Sequence, residues 1–303
     1  MDWFQALILG IVEGLTEYLP VSSTGHLILA QRALGIEDTA ASKAYAICIQ
    51  SGAILAVLGV FSRHVARMIR GLVGKDDQGL RLALLLVVAF VPTGVVAVLS
   101  KKTIDRYLLH LWPIVAAWFV GGLAILAFGA WQRSERGRLG TKTVFDLSWS
   151  GAFVIGCVQC LGLWPGVSRS LVTILGGLAV GLGMTAALEF SFLLGVVTLS
   201  AATVYEAAKH GREMLGAYET VPLAIGFIAA AVSAAVAVSG MIRYLRGRGM
   251  DVFGYYRIVL AIVVATLLLT GQLTETTVPP RPEGALVEAL PPVAAELNTS
   301  LSK

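Results

Sequence analysis

The sequence predicts an all-α integral membrane protein with six transmembrane helices plus two re-entrant helix-loop-helix segments, arranged as an inverted-topology repeat. Composition is the first reason: 56% of residues are hydrophobic, 14% are charged and mean hydropathy is +0.79, whereas soluble domains carry roughly 25% charged residues. Apolar run length is the second. A helix needs about 20 residues to cross the hydrocarbon core, and such runs lie near residues 44–61, 82–99, 111–131, 186–205, 221–242 and 255–271. The third is an internal duplication, in which Trp3 to Gly35 and Trp149 to Gly181 align without a gap at an offset of 146, with 11 of 33 positions identical. Each copy carries a polar break containing Pro and Gly inside an apolar run, and paired breaks of this kind mark where a membrane protein binds its ligand.

The N-terminus has no Lys or Arg before its apolar run, and that run holds Glu13 and Glu17, so it reads as mature chain rather than a cleaved leader. Repeat 1 is expected over residues 1–132, a re-entrant motif at 1–31 followed by three spans. Repeat 2 is expected over 149–271, a re-entrant motif at 149–182 followed by three more. An odd number of crossings inverts the second copy. Gly162, Pro165 and Gly166 argue against one straight helix through 149–182, since they break helices. Loops 62–81, 132–148 and 243–257 hold thirteen basic residues, among them Arg63, Arg67, Arg70, Lys75, Arg136, Arg138 and Arg257. By the positive-inside bias these loops are cytoplasmic, and both termini lie outside. The two breaks then meet near the midplane, where irregular backbone survives only when buried in protein or lining a wet cavity. Because the basic residues sit in short loops between spans, a net charge of +4 points to membrane orientation and not to nucleic acid. Cys157 and Cys160 lack the further ligands of a zinc site and, with Cys48, read as small buried hydrophobes. Residues 272–303, rich in Pro, Ala and Glu, read as a disordered tail.

The chemistry is concentrated in the breaks. In EGLTEYLPVSSTGH, residues 13–26, Glu13 and Glu17 stand i, i+4, so a helix projects both carboxylates from one face, about 5–6 Å apart at Cβ. At low dielectric the pair repels, and a shared proton or a bound divalent cation resolves the repulsion. Acids turned to water on an interfacial helix are the plainer alternative. Ser22, Ser23 and Thr24 are N-cap types able to open a second half-helix, whose free N–H groups attract an anion. His26 follows Ser23 by three, within reach of the same substrate on a helix, although a lone His on an apolar helix is often a satisfied core residue. In PGVSRSLVT, residues 165–173, Arg169 is flanked by Ser168 and Ser170 with Thr173 one turn on, and a guanidinium among hydroxyls suits a phosphate. A structural pairing of Arg169 with a Glu is the alternative there. Together the breaks compose a phosphoryl-transfer or phosphate-hydrolysis site.

These two stretches resemble the signature motifs (E/Q)-x-x-x-E and P-G-x-S-R-S-x-x-T of the bacterial undecaprenyl-diphosphate phosphatase family, also called the bacitracin-resistance protein family, and the similarity covers roughly residues 1–271. The resemblance implies hydrolysis of undecaprenyl diphosphate to the monophosphate lipid carrier of cell-wall synthesis, and with it bacitracin resistance. It also implies a multi-pass protein of the bacterial inner membrane, usually a homodimer, whose site faces the periplasm and needs a divalent cation, Mg or Ca. Glu13 and Glu17 match the family's metal-binding pair, Ser23 its nucleophilic or phosphate-contacting serine, and His26 its essential histidine. Arg169, with Ser168, Ser170 and Thr173, matches its diphosphate-binding group, and Ser22 is counted with them. Glu189 resembles a recurring family position and is expected to support the site without touching substrate. Type-2 phosphatidic-acid phosphatases are a looser match, because they need a second catalytic His after the S-R block, which His64, His110 and His210 do not supply. An inverted-repeat lipid-phosphate transporter or flippase shares the architecture and differs in releasing no phosphate.

Overall fold

Asp2 opens the first helix by accepting from Gln5 N at 2.7 Å while the Gln5 side chain accepts from Asp2 N at 3.0 Å, a capping box that satisfies two orphan donors. In the computed structural model, which describes residues 1–37, 39–134, 140–217, 220–246 and 248–275, eleven α-helices follow one another with no strand among the described residues. They are α1 (Trp3–Glu17), α2 (Ser23–Ala33), α3 (Ala40–Val60), α4 (Ser62–Leu72), α5 (Asp77–Tyr107), α6 (Leu111–Arg133), α7 (Trp149–Gln159), α8 (Arg169–Ala179), α9 (Met184–Ala217), α10 (Thr220–Leu245) and α11 (Asp251–Leu269). Arg136, Arg138 and all but the first four residues of the tail lie outside the described residues.

Six helices contain stretches long and apolar enough to span, at Ser42–Val60, Asp77–Ile104, Leu111–Arg133, Met184–Ala208, Thr220–Leu245 and Asp251–Leu269. Each falls on one of the six expected runs. The helices of the breaks are of another kind. At about 1.5 Å per residue, the 15 residues of α1 and the 11 of α2, α7 and α8 are each too few to cross a core of about 30 Å.

Matched positions of the duplication adopt matched structure. A 3₁₀ turn over Cys160–Leu163 prolongs α7 to the residue that corresponds to Glu17, the end of α1. The second half-helices then begin at the corresponding Ser23 and Arg169. Immediately before them stand Ser22 (φ 72°) and Ser168 (φ 76°), the only non-glycine residues with positive φ among those described. Packing couples the two copies: α1 lies on α10, α7 on α5, α3 on α9, and α6 on α11, within one compact unit of Met1–Leu273. Small residues permit the close approach, as is usual between helices in lipid. A Cβ at Gly10 would strike the Gly226 carbonyl of α10, and one at the corresponding Gly156 would strike the Ala89 carbonyl of α5.

Two expectations are corrected by the fold. Arg257 is not a loop cation; it lies one and a half turns inside α11 and is fully buried. Cys157 is exposed on α7 rather than buried, while Cys48 and Cys160 are half-buried, and all three are free thiols.

Candidate active site

The two breaks come together through a carbonyl of the first that the second satisfies, and through Arg257, which satisfies carbonyls of both. Leu19 O accepts from Ser170 Oγ at 3.0 Å and from Ser168 Oγ at 3.5 Å. Arg257 reaches both loops from α11, its Nη1 donating to Pro20 O and Val167 O at 3.1 Å and its Nη2 to Gly166 O at 2.8 Å. The same guanidinium bonds Ala117 O at 2.8 Å and Trp118 O at 3.3 Å in α6, and Trp118 Nε1 donates to Val21 O at 3.0 Å. Five carbonyls therefore converge on one buried cation. Such an arrangement locks the backbone where Ser22 and Ser168 hold a conformation costing about 1–3 kcal/mol each.

Glu17, at the last turn of α1, is the hub of the polar cluster inside. Its Oε2 accepts a short hydrogen bond from Ser23 Oγ, and its Oε1 accepts from Arg169 Nη2 at 3.1 Å. Arg169 Nη1 donates to Ser191 O at 3.1 Å, and the guanidinium lies 5.3 Å above the Tyr18 ring. Glu13, one turn earlier and 1% exposed, has a buried Oε2 with no protein partner, and Arg169 Nε and the Tyr18 hydroxyl are likewise unpartnered. Two buried carboxylates against one guanidinium leave a surplus negative charge at low dielectric, which is costly unless a cation or proton joins them. Glu17, Ser22, Ser23, Thr24, Ser168 and Arg169 line a cavity of about 230 Å³ whose other wall carries Gln50, Thr93, Gln159 and Thr198. The N-terminus of α2, which has no side-chain cap, and that of α8, where Ser168 occupies the Leu171 N–H, both open onto it.

Not every residue singled out in the sequence joins this cluster. His26 is turned away from Ser23: its Nδ1 donates to Ser22 O at 2.7 Å, because a carbonyl can only accept, and its Nε2 meets Tyr256 Oη at 2.7 Å. The ring stacks on Tyr256 at 5.8 Å and packs against Trp118. Ser170 and Thr173 are fully buried and already engaged, Thr173 Oγ1 with Ser191 Oγ at 2.6 Å and Arg169 O at 2.9 Å. They brace α8 against α9 and against the first break. Ser168 caps α8 by accepting from Leu171 N at 3.3 Å, whereas Ser22 makes no such bond, so the expected cap of α2 is absent. Glu189 faces His64 at 3.9 Å, away from the cavity.

Conversely, Arg257, Gln159, Thr93, Tyr256 and Trp118 belong to the site or its frame and were not read from the sequence. The available signals were Arg257 as a charge inside an apolar run and Gln159 as the partner of Glu13 in the duplication. Among the described residues no group of three or more His, Cys, Asp or Glu could hold a metal. The orphaned Glu13 Oε2 beside Glu17 does fit a cation that takes one or two protein carboxylates and completes its shell with water and phosphate oxygens, as Mg²⁺ does.

Comparison with known proteins agrees with the motifs. The family model described as bacitracin resistance protein BacA matches residues 6–263. A protein named undecaprenyl-diphosphatase from Sorangium cellulosum is 44% identical over 268 residues, 88% of this chain and 87% of the relative. Namesakes from Nitrosomonas europaea (43% over 274 residues, covering 89% and 97%) and Methylococcus capsulatus (44% over 275 residues, covering 91% and 98%) are as similar.

Proposed function

The chain belongs to the bacitracin resistance protein BacA family, and on that premise we propose that it hydrolyses undecaprenyl diphosphate to undecaprenyl phosphate and inorganic phosphate. One observation carries the assignment: Ser23, Glu17 and Arg169 form a single hydrogen-bonded chain on the wall of one cavity into which two helix N-termini open. A hydroxyl already bonded to a carboxylate is an activated nucleophile. A guanidinium with a free Nε, together with helix N–H groups, receives phosphate oxygens.

In the proposed reaction the terminal phosphoryl group lies between Arg169 and the α2 N-terminus. Ser23 Oγ attacks its phosphorus, the proton passes to Glu17, and the bond from that phosphorus to the bridging oxygen breaks, so the lipid leaves as its monophosphate. Water then cleaves the serine ester, and Glu17 returns the proton to Ser23. Glu13 and Glu17 would hold a divalent cation, Mg or Ca, which would supply neutralisation of the phosphate charge. His26 acts through Ser22, whose carbonyl it holds. Ser168, Ser170 and Thr173 keep Arg169 in place.

The paired short helices are assigned as re-entrant and the two repeats as inverted, supported by helices too short to cross and by matched breaks in mutual contact. The site then opens to the periplasmic face of the inner membrane, and the working unit is a homodimer, as the family resemblance implies. Release of inorganic phosphate from a prenyl diphosphate by purified protein in detergent, with Mg²⁺ and no gradient, tests the assignment. A metal-supplied protein that releases none, yet moves lipid phosphate across a bilayer, would be a flippase instead.

A further inference from the structure

Gln159 occupies in α7 the position that Glu13 occupies in α1, 146 residues earlier. It is fully buried and lines the same cavity as Glu17, Ser23 and Arg169. Its amide orientation is fixed by a neighbour. Thr93, on α5, donates its single hydroxyl proton to Gly156 O at 3.0 Å, so towards other groups it can only accept. Gln159 Nε2 therefore donates to Thr93 Oγ1, at 2.9 Å, and Cys160 Sγ approaches the same oxygen at 3.9 Å. The consequence is that Gln159 Oε1 is the free end of the amide, and it is buried with no hydrogen-bond partner. A carbonyl oxygen repels phosphate oxygens and requires a proton donor. The donor that a phosphate hydrolase must bring to this place is water.

We infer that Gln159 is a positioning residue that orients the hydrolytic water through Oε1, with Thr93 locking the amide. The inference rests on the serine-ester reading above. In the step it serves, the water oxygen bonds the phosphorus of phosphorylated Ser23, the Oγ–P bond breaks, Glu17 returns its proton to Oγ, and both water protons leave with inorganic phosphate as H₂PO₄⁻. A displaced attacking group costs on the order of 10²-fold in rate, and the loss falls on the second step alone.

The experiment compares wild type, Gln159→Met and Thr93→Val in detergent with Mg²⁺, a prenyl diphosphate and added methanol. Gln159→Met should lower kcat and KM together by about 10²-fold and leave kcat/KM unchanged, because only the step after release of the lipid monophosphate is slowed. It should give a burst of lipid monophosphate approaching one per chain, and raise the ratio of methyl phosphate to inorganic phosphate. Thr93→Val, which frees the amide to turn, should fall between. The product ratio is read per turnover, so it is independent of how much variant folds. An unchanged ratio, or a raised KM at unchanged kcat, overturns the inference by making Gln159 a packing or substrate contact. A wild type that releases no phosphate sinks the hydrolase assignment instead.

Discussion

At the scale of single residues, Glu17 is asked to do two things, accepting from Ser23 with one oxygen and from Arg169 with the other. Glu17→Gln keeps the shape and removes the charge, so phosphate release should fall by several orders of magnitude, and chelation of divalent cations should abolish wild-type turnover reversibly. Near-normal rates with an unchanged metal response would make the acidic pair structural. Arg169 spans Glu17 and Ser191 O with two different nitrogens while Nε stays free. A lysine is a point charge without that fork, and Arg169→Lys should remain inactive in the same assay; restored activity would argue against a diphosphate clamp. Arg257 carries a different burden. Removing it strands the three loop carbonyls of Pro20, Gly166 and Val167, each costing about 1–3 kcal/mol, so Arg257→Leu should lower the melting temperature sharply and Arg257→Lys less, as followed by thermal unfolding in detergent. The acidic pair and the S-R-S block were legible because neighbours in sequence on one helix turn are neighbours in space. Arg257 was not, since its partners lie on three distant segments and nothing in a single arginine names them.

Among elements, the breaks and the helix contacts around them decide where the cavity walls stand. Gly156 lets α7 meet the α5 backbone at Ala89, and α7 carries Gln159. Gly156→Leu should push the two helices apart and cost at least about 1–3 kcal/mol of overpacking, lowering thermal stability and activity together; an unchanged melting temperature would mean that the contact yields without strain. Outside the membrane, the turn between α4 and α5 is held by Asp76. Its carboxyl is kept down at about 2, first by its hydrogen bond from Arg67 (Nε to Oδ2, 2.9 Å) and next by the Gly79 N–H. A depressed value means the ionised pair stabilises the fold above the ordinary Asp value of about 3.9 and that this contribution vanishes as pH falls through about 2. Asp76→Asn should therefore flatten the loss of stability across that window, measured by melting at stepped pH; an unaltered acid limb would assign the loss to other carboxylates. The six spans were readable because apolar length is a local property. The missing cap on Ser22 was not, since the matched Ser168 with nearly the same backbone (φ 76°) does cap α8, and the first loop is held by Arg257 and Trp118 from distant helices.

The whole molecule poses the question of sidedness. Once Arg257 is withdrawn from the charge count, loops 62–81, 132–148 and 243–257 still hold the excess of Lys and Arg, so the proposed orientation stands on the remaining basic residues. A membrane-impermeant thiol reagent applied to spheroplasts of a cysteine-free background should label Glu37→Cys and miss Lys75→Cys. The opposite pattern would reverse the topology and, with it, access of the diphosphate head from the periplasmic leaflet. Because α1 packs on α10 and α7 on α5, each repeat completes the other, and neither half is expected to fold when expressed alone.

Composition, run length and the offset of 146 determined by themselves that this is a six-span membrane protein with two matched breaks, and the residues in those breaks named the chemistry. These are properties of spacing along one chain, which periodicity and propensity expose. Tertiary structure alone decided that Ser23 pairs with Glu17 and not with His26, that Ser170 and Thr173 are braces, and that Arg257 and Gln159 are recruited from elsewhere. The physical reason is that a buried hydrogen-bonding group takes whichever partner the packed backbone brings within about 3 Å. The span along the chain does not limit that choice, which runs from six positions between Glu17 and Ser23 to 237 between Pro20 O and Arg257.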